Sequence, residues 1–212
     1  MFSDPPKESP FLIPTTVPIF PLPNTVLFPH TYLALHIFEP RYREMVKDAS
    51  SQGHCIGMAL LKDGWENDYE KTPPVFQRGS VGRMVNVKKL DDGRYNIVLQ
   101  GLRRCFYEEQ EVYTSYRQAK IVLVEEDGTE RLDSALLVHL ADAAKKYLLS
   151  KKADDQYQLI TSGKISDRVL VNSLSAGLDF TPTEKQFLLE SETLRQQAGR
   201  LVDLIRFKLP AL

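Results

Sequence analysis

Four prolines punctuate the short apolar runs between residues 17 and 29, and they constrain the fold of this chain more than any other feature. They stand at positions 18, 21, 23 and 29. Because proline lacks a backbone N–H and has a fixed φ, it belongs at strand starts, sheet edges and turns. The segment is therefore predicted to form a strand, a tight turn and a second strand. A helix is predicted to follow from Pro40, since proline suits the first turn of a helix.

Short runs of β character continue to about residue 125, separated by turn residues at regular intervals. The sequence Asp91-Asp92-Gly93 lies between two alternating runs and predicts a hairpin, because Asp and Gly tolerate positive φ. Many short strands with closely spaced turns favour a closed or half-closed barrel. Strands are predicted at 16–22, 31–38, 55–61, 80–90, 94–99, 103–112 and 116–125, with one helix at 40–50.

After Gly128 the apolar residues recur every three or four positions, which predicts helices. The first covers residues 131–149. Ser166 is a suitable N-cap for a short helix that ends near Gly177. Thr181 and Glu184 form a capping box that starts a last helix, which we expect to continue to Pro210. The predicted buried stripe of this last helix is Phe187, Leu194, Ala198, Leu201 and Ile205.

The composition is that of a soluble globular protein, with 42% hydrophobic and 26% charged residues. The formal net charge of -1 gives no sign of a nucleic-acid-binding protein at the level of the whole chain. The N-terminal residues have no signal-peptide pattern, and no run is long enough for a membrane span. Cys55 and Cys105 lie in apolar runs and are expected to be buried free thiols. These features predict a cytoplasmic protein that does not contact the membrane.

Two blocks of sequence carry a family resemblance. The first is Phe-Pro-Leu-Pro-Asn-Thr-Val-Leu-Phe-Pro at 20–29, followed by Ile-Phe-Glu-Pro-Arg-Tyr at 37–42. The second comprises residues 81–85 and 90–104. Together they resemble the Lon protease N-terminal (substrate-binding) domain, and residues 184–190 resemble its last helix. The resemblance implies an α+β fold, in which a PUA-like β pseudo-barrel is followed by a C-terminal helical subdomain.

On this basis we expect a flexible tail at 1–15, a pseudo-barrel with one inserted helix at 16–127, and a helical subdomain at 128–212. The ATPase and Ser-Lys protease modules of Lon are not recognisable, and Thr161-Ser162-Gly163-Lys164-Ile165 lacks the first glycine and the hydroxyl of a phosphate loop. The resemblance therefore implies a non-catalytic protein- or peptide-binding module without a cofactor. The expected partners are unfolded or apolar polypeptide segments, with a separate protease or chaperone as a further candidate.

The connection over residues 62–78 is the predicted binding surface. It is long for a link between strands and carries three aromatic side chains outside any clear period: Trp65, Tyr69 and Phe76. Aromatic side chains on loops are typical anchors of recognition surfaces. The alternative is that Trp65 and Phe76 turn inward and close the barrel. The sequence does not decide between these two arrangements.

An RNA-binding PUA-like module is the alternative function. Its candidate residues are the cations around the predicted hairpin, Lys88, Lys89, Arg94, Arg103 and Arg104. RNA recognition combines such cations with stacking aromatic rings. Acidic residues interleave with these cations, so a charge-mixed, solvated strand face is the favoured interpretation, and nucleic acid is not the expected partner.

Glu39 and Arg41 lie close enough to invite a catalytic interpretation, but no nucleophile stands nearby. We expect Glu39 to accept hydrogen bonds from backbone N–H groups at the helix start. The four histidines lack the spacing of a metal site, and His54 and Cys55 point to opposite faces of a strand. Neither a catalytic residue nor a metal site is therefore predicted.

Overall fold

The structure is a computed structural model that describes residues 11–68, 72–151 and 165–209. Its first part contains six strands and one α-helix, and five of the strands and the helix begin and end close to the predicted positions. A 3₁₀ turn at Trp65–Asp68 follows the third strand. The elements are β1 (Thr16–Leu22), β2 (Tyr32–Ile37), α1 (Pro40–Ser51), β3 (Cys55–Leu60), β4 (Arg78–Lys89), β5 (Tyr95–Gln110) and β6 (Gln118–Leu123).

The strands form one mixed sheet in the order β2-β5-β4-β3-β1-β6, and β6 pairs back onto β5 to close a barrel. Closure is possible because β5 is 16 residues long. Its first half pairs with β2 and its second half pairs with β6. The pair β1–β3 is parallel, whereas the other named pairs are antiparallel. The predicted α+β class is thus confirmed.

The prediction of two separate strands at 94–99 and 103–112 was wrong, because β5 runs through this region without a break. Gly101 lies at the point where a turn was expected. A Cβ atom at this position would lie 2.1 Å from the carbonyl oxygen of Phe28. The glycine therefore permits a close approach of two backbone segments and does not form a turn. The pairing of β4 with β5 shifts its register by one residue opposite this region, between Val81 and Gly82.

The predicted hairpin is confirmed. Gly93 adopts a φ of 84°, and its N–H donates to the carbonyl oxygen of Leu90 at 2.9 Å. The N–H of Leu90 in turn donates to the carbonyl oxygen of Arg94 at 2.8 Å. A residue with a side chain would be strained at Gly93, so this glycine sets the tight connection between β4 and β5.

The second part of the chain is helical. The hydroxyl of Ser166 accepts from the N–H of Val169, and Thr181 and Glu184 form the predicted capping box. These two predicted helix starts are confirmed. The described helices are α2 (Ser134–Ser150), α3 (Asp167–Gly177), α4 (Pro182–Leu189) and α5 (Leu194–Lys208). None of the described helices has the length and apolar composition that a membrane span requires.

The prediction of a single last helix from Thr181 to Pro210 was wrong, because two helices occupy this region. The chain leaves the helical path after Leu189, and the hydroxyl of Thr193 caps a new helix by accepting from the N–H of Gln196 at 3.0 Å. Because of the break, Phe187 does not share a buried face with the other residues of the predicted stripe, and its side chain is exposed. The physical reason combines this local cap with a distant contact, since Arg104 of β5 binds carbonyl groups that the break leaves without helical partners.

Among the described residues, three hydrophobic clusters form the core. One lies in the barrel under α1, a second fills the rest of the barrel, and the third unites the helices of the second part. Leu27, in the connection between β1 and β2, is buried in the cluster under α1. Its neighbour Phe28 is buried in the helical cluster. The connection between the first two strands therefore joins barrel and helices into one packed body.

Candidate functional site

The connection between β3 and β4 is closed at its base and holds Trp65 against the barrel. The N–H of Lys62 donates to the carbonyl oxygen of Pro74, and the N–H of Phe76 donates to that of Leu60, both at 2.9 Å. The Trp65 side chain is half-buried and packs on the second barrel cluster. Of the three predicted anchors, Trp65 therefore contacts the core, while Tyr69 lies outside the described residues.

Phe76, the third predicted anchor, lines a groove of about 400 Å³ together with Phe106 from β5. The Lys62 ammonium lies 5.8 Å from the centre of the Phe76 ring. The Arg78 guanidinium lies 4.6 Å from the centre of the Phe106 ring, which remains exposed. The groove thus combines two aromatic rings with two cations. Its remaining lining residues are Gln77, Glu190 and Glu192.

The wall of this groove is built at the junction between barrel and helices. Arg78 is almost fully buried, and its guanidinium donates to the carbonyl oxygen of Glu190 at 2.7 Å. The same group lies 3.0 Å from a carboxylate oxygen of Glu192. Gln186 of α4 donates from its side-chain amide to the carbonyl oxygen of Arg78 at 2.8 Å. These contacts hold the groove in shape, because each buried polar group has a partner.

Sequence reasoning missed most of this groove. Phe106 and Arg78 are in strands, and Glu190 and Glu192 are in the helix break more than 80 positions away. Alternation along β5 could have placed Phe106 on the outer face, since its neighbours Cys105 and Tyr107 are buried. No local signal connects it with the break between α4 and α5.

A second cleft of about 430 Å³ borders the end of the same loop. It lies between the start of α1 and the turn that joins β5 to β6. Arg117 of this turn donates to the carbonyl oxygen of Pro73 at 2.8 Å and makes a two-point contact with the carboxylate of Glu109. The guanidinium therefore ties the 62–78 loop to the barrel wall, where bidentate geometry gives a directional contact.

The five cations of the RNA alternative do not form one patch. Lys88, Lys89 and Arg94 are exposed around the β4–β5 hairpin, where Arg94 lies 2.6 Å from the carboxylate of Asp92. That contact lowers the pKa of Asp92 and raises the pKa of Arg94. Arg103 and Arg104 lie further along β5. Arg103 is half-buried and donates to the carbonyl oxygen of Val124 at 2.9 Å.

Arg104 is buried between the barrel and the helices, with 3% of its surface exposed. Its guanidinium lies 2.5 Å from the carboxylate of Glu126, which also contacts Arg168 at 3.3 Å. It further donates to the carbonyl oxygens of Leu189, at 3.3 Å, and of Ser191. Arg104 therefore satisfies the end of α4, and its charge does not reach a ligand surface.

Glu39 differs from the expectation at the start of α1. Its side chain makes no hydrogen bond that caps the helix. Instead its carboxylate pairs with the guanidinium of Arg41 at 3.0 Å, with both side chains about one quarter exposed (24% each). The two residues thus form a structural ion pair beside the helix start.

Both cysteines are free and buried, as predicted. Burial raises the pKa of the Cys55 thiol to about 11 and that of the Cys105 thiol to about 12. Thiols that stay protonated are poor nucleophiles and poor metal ligands. Within the described residues, no group of three or more His, Cys, Asp or Glu side chains is arranged to hold a metal ion.

The fold defines an α+β class in which a closed mixed sheet carries a bundle of helices. A family model for the substrate-binding domain of ATP-dependent protease La (LON) matches residues 16–206, and the chain belongs to this family. The predicted resemblance is thereby confirmed. The family assignment describes a substrate-binding domain, and the ATPase and protease modules are not part of the match.

Curated relatives are Lon proteases. The chain is 27% identical over 205 residues to Lon protease of Flavobacterium johnsoniae, covering 94% of this chain and 25% of the relative. It is 30% identical over 195 residues to Lon protease of Parabacteroides distasonis, covering 90% of this chain and 24% of the relative. The chain therefore spans about a quarter of the length of these relatives.

Solved structures agree with the fold. A Lon N-terminal domain protein from Xanthomonas campestris superposes with a TM-score of 0.67 at 22% identity, covering 89% of this chain and 98% of that chain. The N-terminal domain of Mycobacterium avium complex Lon protease gives a TM-score of 0.68 at 16% identity, covering 92% and 100%. At these identities the two structures establish the shared architecture.

Proposed function

We propose that the chain is a non-catalytic module that binds unfolded or apolar polypeptide segments. Membership of the LON substrate-binding family is the observation that carries this proposal. Its relatives that carry the name Lon protease are about four times longer, so the activity of the whole relative is not transferred to this chain. A separate protease or chaperone that receives the bound polypeptide is part of the proposal.

The proposed contact surface is the groove between the 62–78 loop and the helix break. The rings of Phe76 and Phe106 offer apolar area, while Lys62 and Arg78 lie over them. A cation over a ring face is attracted to it, so these contacts hold the Lys62 and Arg78 side chains beside the rings. An extended polypeptide could place an apolar side chain on the rings and a backbone carbonyl group near Lys62, whereas the Arg78 guanidinium is already bound to Glu190 and Glu192. Phe76 is the proposed main anchor, because aromatic residues dominate recognition surfaces.

The RNA alternative has less support from the described contacts. Its cations are divided between an exposed hairpin and a buried junction, and Arg104 is fully engaged by protein groups. RNA binding by phosphate contacts needs cations that reach one continuous surface.

The proposal is tested with casein as an unfolded probe and its binding measured by fluorescence anisotropy. Binding is expected for the intact chain, and Phe76→Ala should weaken it. Phe207→Ala is the matched control, since Phe207 is 85% exposed on α5 and lies outside the groove. No cleavage of casein is expected with or without ATP. A chain that binds no unfolded probe, or that cleaves casein reproducibly, would contradict the proposal.

A further inference from the structure

From Arg43 onward, the charged side chains of helix α1 form an acidic row and a basic row, while Arg41 in the first turn pairs with Glu39. Glu44 and Asp48 are four residues apart and therefore share one side of the helix. The hydroxyl of Ser115 donates to the Glu44 carboxylate at 2.6 Å, and that of Tyr116 donates to the Asp48 carboxylate at 2.8 Å. The turn between β5 and β6 therefore donates a hydrogen bond to each carboxylate of the acidic row.

The basic row faces a different element. Arg43 and Lys47, each one position before an acidic residue, line a cleft between α1 and the β4–β5 hairpin. Lys89, at the end of β4, and Tyr95, at the start of β5, line the same cleft, which has a volume of about 340 Å³. Three cations and one phenol ring therefore converge on a single depression. Glu44 also reaches its edge, but its carboxylate is bonded to Ser115.

The hairpin turn leaves room for one of these cations. The guanidinium of Arg43 lies over Gly93, with its Nη2 atom 2.7 Å from the place a Cβ would occupy. Across the described part of the chain, Arg43, Lys47 and Lys89 form no ion pair with an acidic side chain. The chain as a whole carries a formal net charge of -1, so this local excess of positive charge is not a consequence of a basic composition.

We propose that this basic cleft, formed by Arg43, Lys47 and Lys89, binds an acidic segment of a polypeptide through its carboxylates. This inference rests on the proposed polypeptide-binding function and adds a preference to it. Charge complementarity selects the occupant, because three cations without acidic partners attract an anionic group of similar extent. The Tyr95 ring, which lines the cleft, offers apolar surface for the methylene groups of Asp or Glu side chains.

The borders of the cleft favour a short acidic segment over a nucleic acid. Asp91 and Asp92 of the hairpin turn are exposed, and Glu44 stands at the opposite edge. A phosphate backbone carries negative charge at every step and would continue past the cleft toward these carboxylates. A polypeptide can limit its acidic residues to the few positions that meet the cations.

The test uses three labelled probes of equal length: a neutral unfolded peptide, the same peptide with four positions changed to Asp or Glu, and a single-stranded RNA. The cleft variant is Arg43→Gln, Lys47→Gln and Lys89→Gln. The control variant removes three exposed cations elsewhere by Lys88→Gln, Lys120→Gln and Arg206→Gln. Lys88 is an especially close control, since it precedes Lys89 and lies on the opposite face of β4.

At low salt, the unmodified chain should bind the acidic peptide about tenfold more tightly than the neutral one, as three modest charge contacts imply. The cleft variant should lose this preference and keep its affinity for the neutral peptide, while the control variant retains both. Circular dichroism checks the fold, and the double variant Lys47→Gln, Lys89→Gln serves if the triple variant unfolds.

The outcomes separate this inference from the proposed function. Equal binding of both peptides by the unmodified chain would overturn the acidic preference and leave the proposed function intact. A preference that survives in the cleft variant would also overturn it. Failure to bind either peptide would contradict the proposed function itself. Tight binding of the RNA, lost in the cleft variant, would replace the peptide assignment.

Discussion

Leu27 and Phe28 are neighbours in the chain, yet their side chains are buried in different hydrophobic clusters. Leu27 packs with the barrel residues under α1, and Phe28 packs among the helices of the second part. Phe28 is fully buried, and Leu27 is 2% exposed. These two adjacent residues therefore connect the core of the barrel with the core of the helical part.

Truncation of these two residues should affect the two parts differently. Phe28→Ala should cost about 3–5 kcal/mol and Leu27→Ala about 2–5 kcal/mol, as expected for buried side chains that leave cavities. Amide hydrogen exchange is the discriminating measurement. Phe28→Ala should lower protection first in α2 and α5, and Leu27→Ala first in α1 and β4. Equal loss of protection everywhere in both variants would contradict a separate role for each residue.

Gly101→Ala should be strongly destabilising, because the new Cβ would lie 2.1 Å from the carbonyl oxygen of Phe28. Backbone atoms on both sides must shift, at a cost of about 3 kcal/mol or more. Gly199→Ala is the matched control, since no atom outside its chain neighbours and its own helix backbone lies within 4 Å of its Cβ position in α5. This control should gain about 0.5–1 kcal/mol from helix propensity. Urea unfolding measures both changes, and a neutral Gly101→Ala would refute the close approach.

Arg104→Leu should lower the free energy of unfolding by about 3–5 kcal/mol, because it leaves buried partners without a donor. The carbonyl oxygens of Leu189 and Ser191 lose their contact, and Glu126 keeps only Arg168. The effect should be measured by urea unfolding beside Arg94→Leu, which removes an exposed ion pair at the hairpin. The Arg94 variant should leave the midpoint unchanged. Similar midpoints for both variants would show that the junction does not depend on Arg104.

Trp65→Ala should act mainly on stability, whereas Phe76→Ala should act mainly on binding. Trp65 packs on the barrel cluster, so its loss should cost about 2 kcal/mol of stability. Phe76 lines the groove, and an aromatic anchor contributes about 2 kcal/mol or more to binding. Melting temperature and affinity for casein should be measured for each variant. If Trp65→Ala weakens binding of the folded chain at unchanged stability, Trp65 is an anchor after all.

Glu184 predicts a specific dependence of stability on acid pH. Burial alone would raise its pKa, but the backbone N–H of Thr181 and the Lys208 ammonium, 3.0 Å away, outweigh this and lower the pKa below 4.5. The folded state therefore binds the proton less readily than the unfolded state. Its stabilisation is complete above the unfolded pKa and is lost as the pH falls through the folded pKa.

The measurement for Glu184 is the melting temperature of the unmodified chain and of Glu184→Gln between about pH 6 and 3. The difference between the two proteins should shrink as the pH falls, because glutamine keeps an acceptor for the N–H of Thr181 but has no charge. A difference that stays constant with pH would show that the carboxylate charge does not contribute.

Local chemistry made much of the fold predictable. Proline placement defined the first strand and the start of α1, and the turn at Gly93 followed from the need for positive φ. The caps at Ser166 and Thr181 were readable because each side chain bonds a backbone group only three residues away. These signals act within a few residues, so the sequence alone carries them.

The features that the sequence did not reveal depend on distant partners. Gly101 lies in the gap between the two strands predicted at 94–99 and 103–112, and its place inside one continuous β5 depends on the carbonyl group of Phe28 packed against it. The break between α4 and α5 has a local cap at Thr193, but its carbonyl oxygens are bound by Arg104, which is more than 80 positions earlier. The proposed groove likewise joins Phe76 and Phe106 to the helix break.

The sequence by itself therefore determined the ends of most elements, since these follow from backbone preferences and periodicity. It also determined the family and the α+β class, through the blocks of residues that resemble the Lon N-terminal domain. Only the tertiary structure decided which charged residues are available to a ligand. Arg104 and Lys89 both belong to the same cluster in sequence, yet one is buried in a hydrogen-bond network and the other lines an open cleft. Packing between elements that are distant in sequence sets the difference between these two cations, and the local pattern around Arg104 and Lys89 does not encode it.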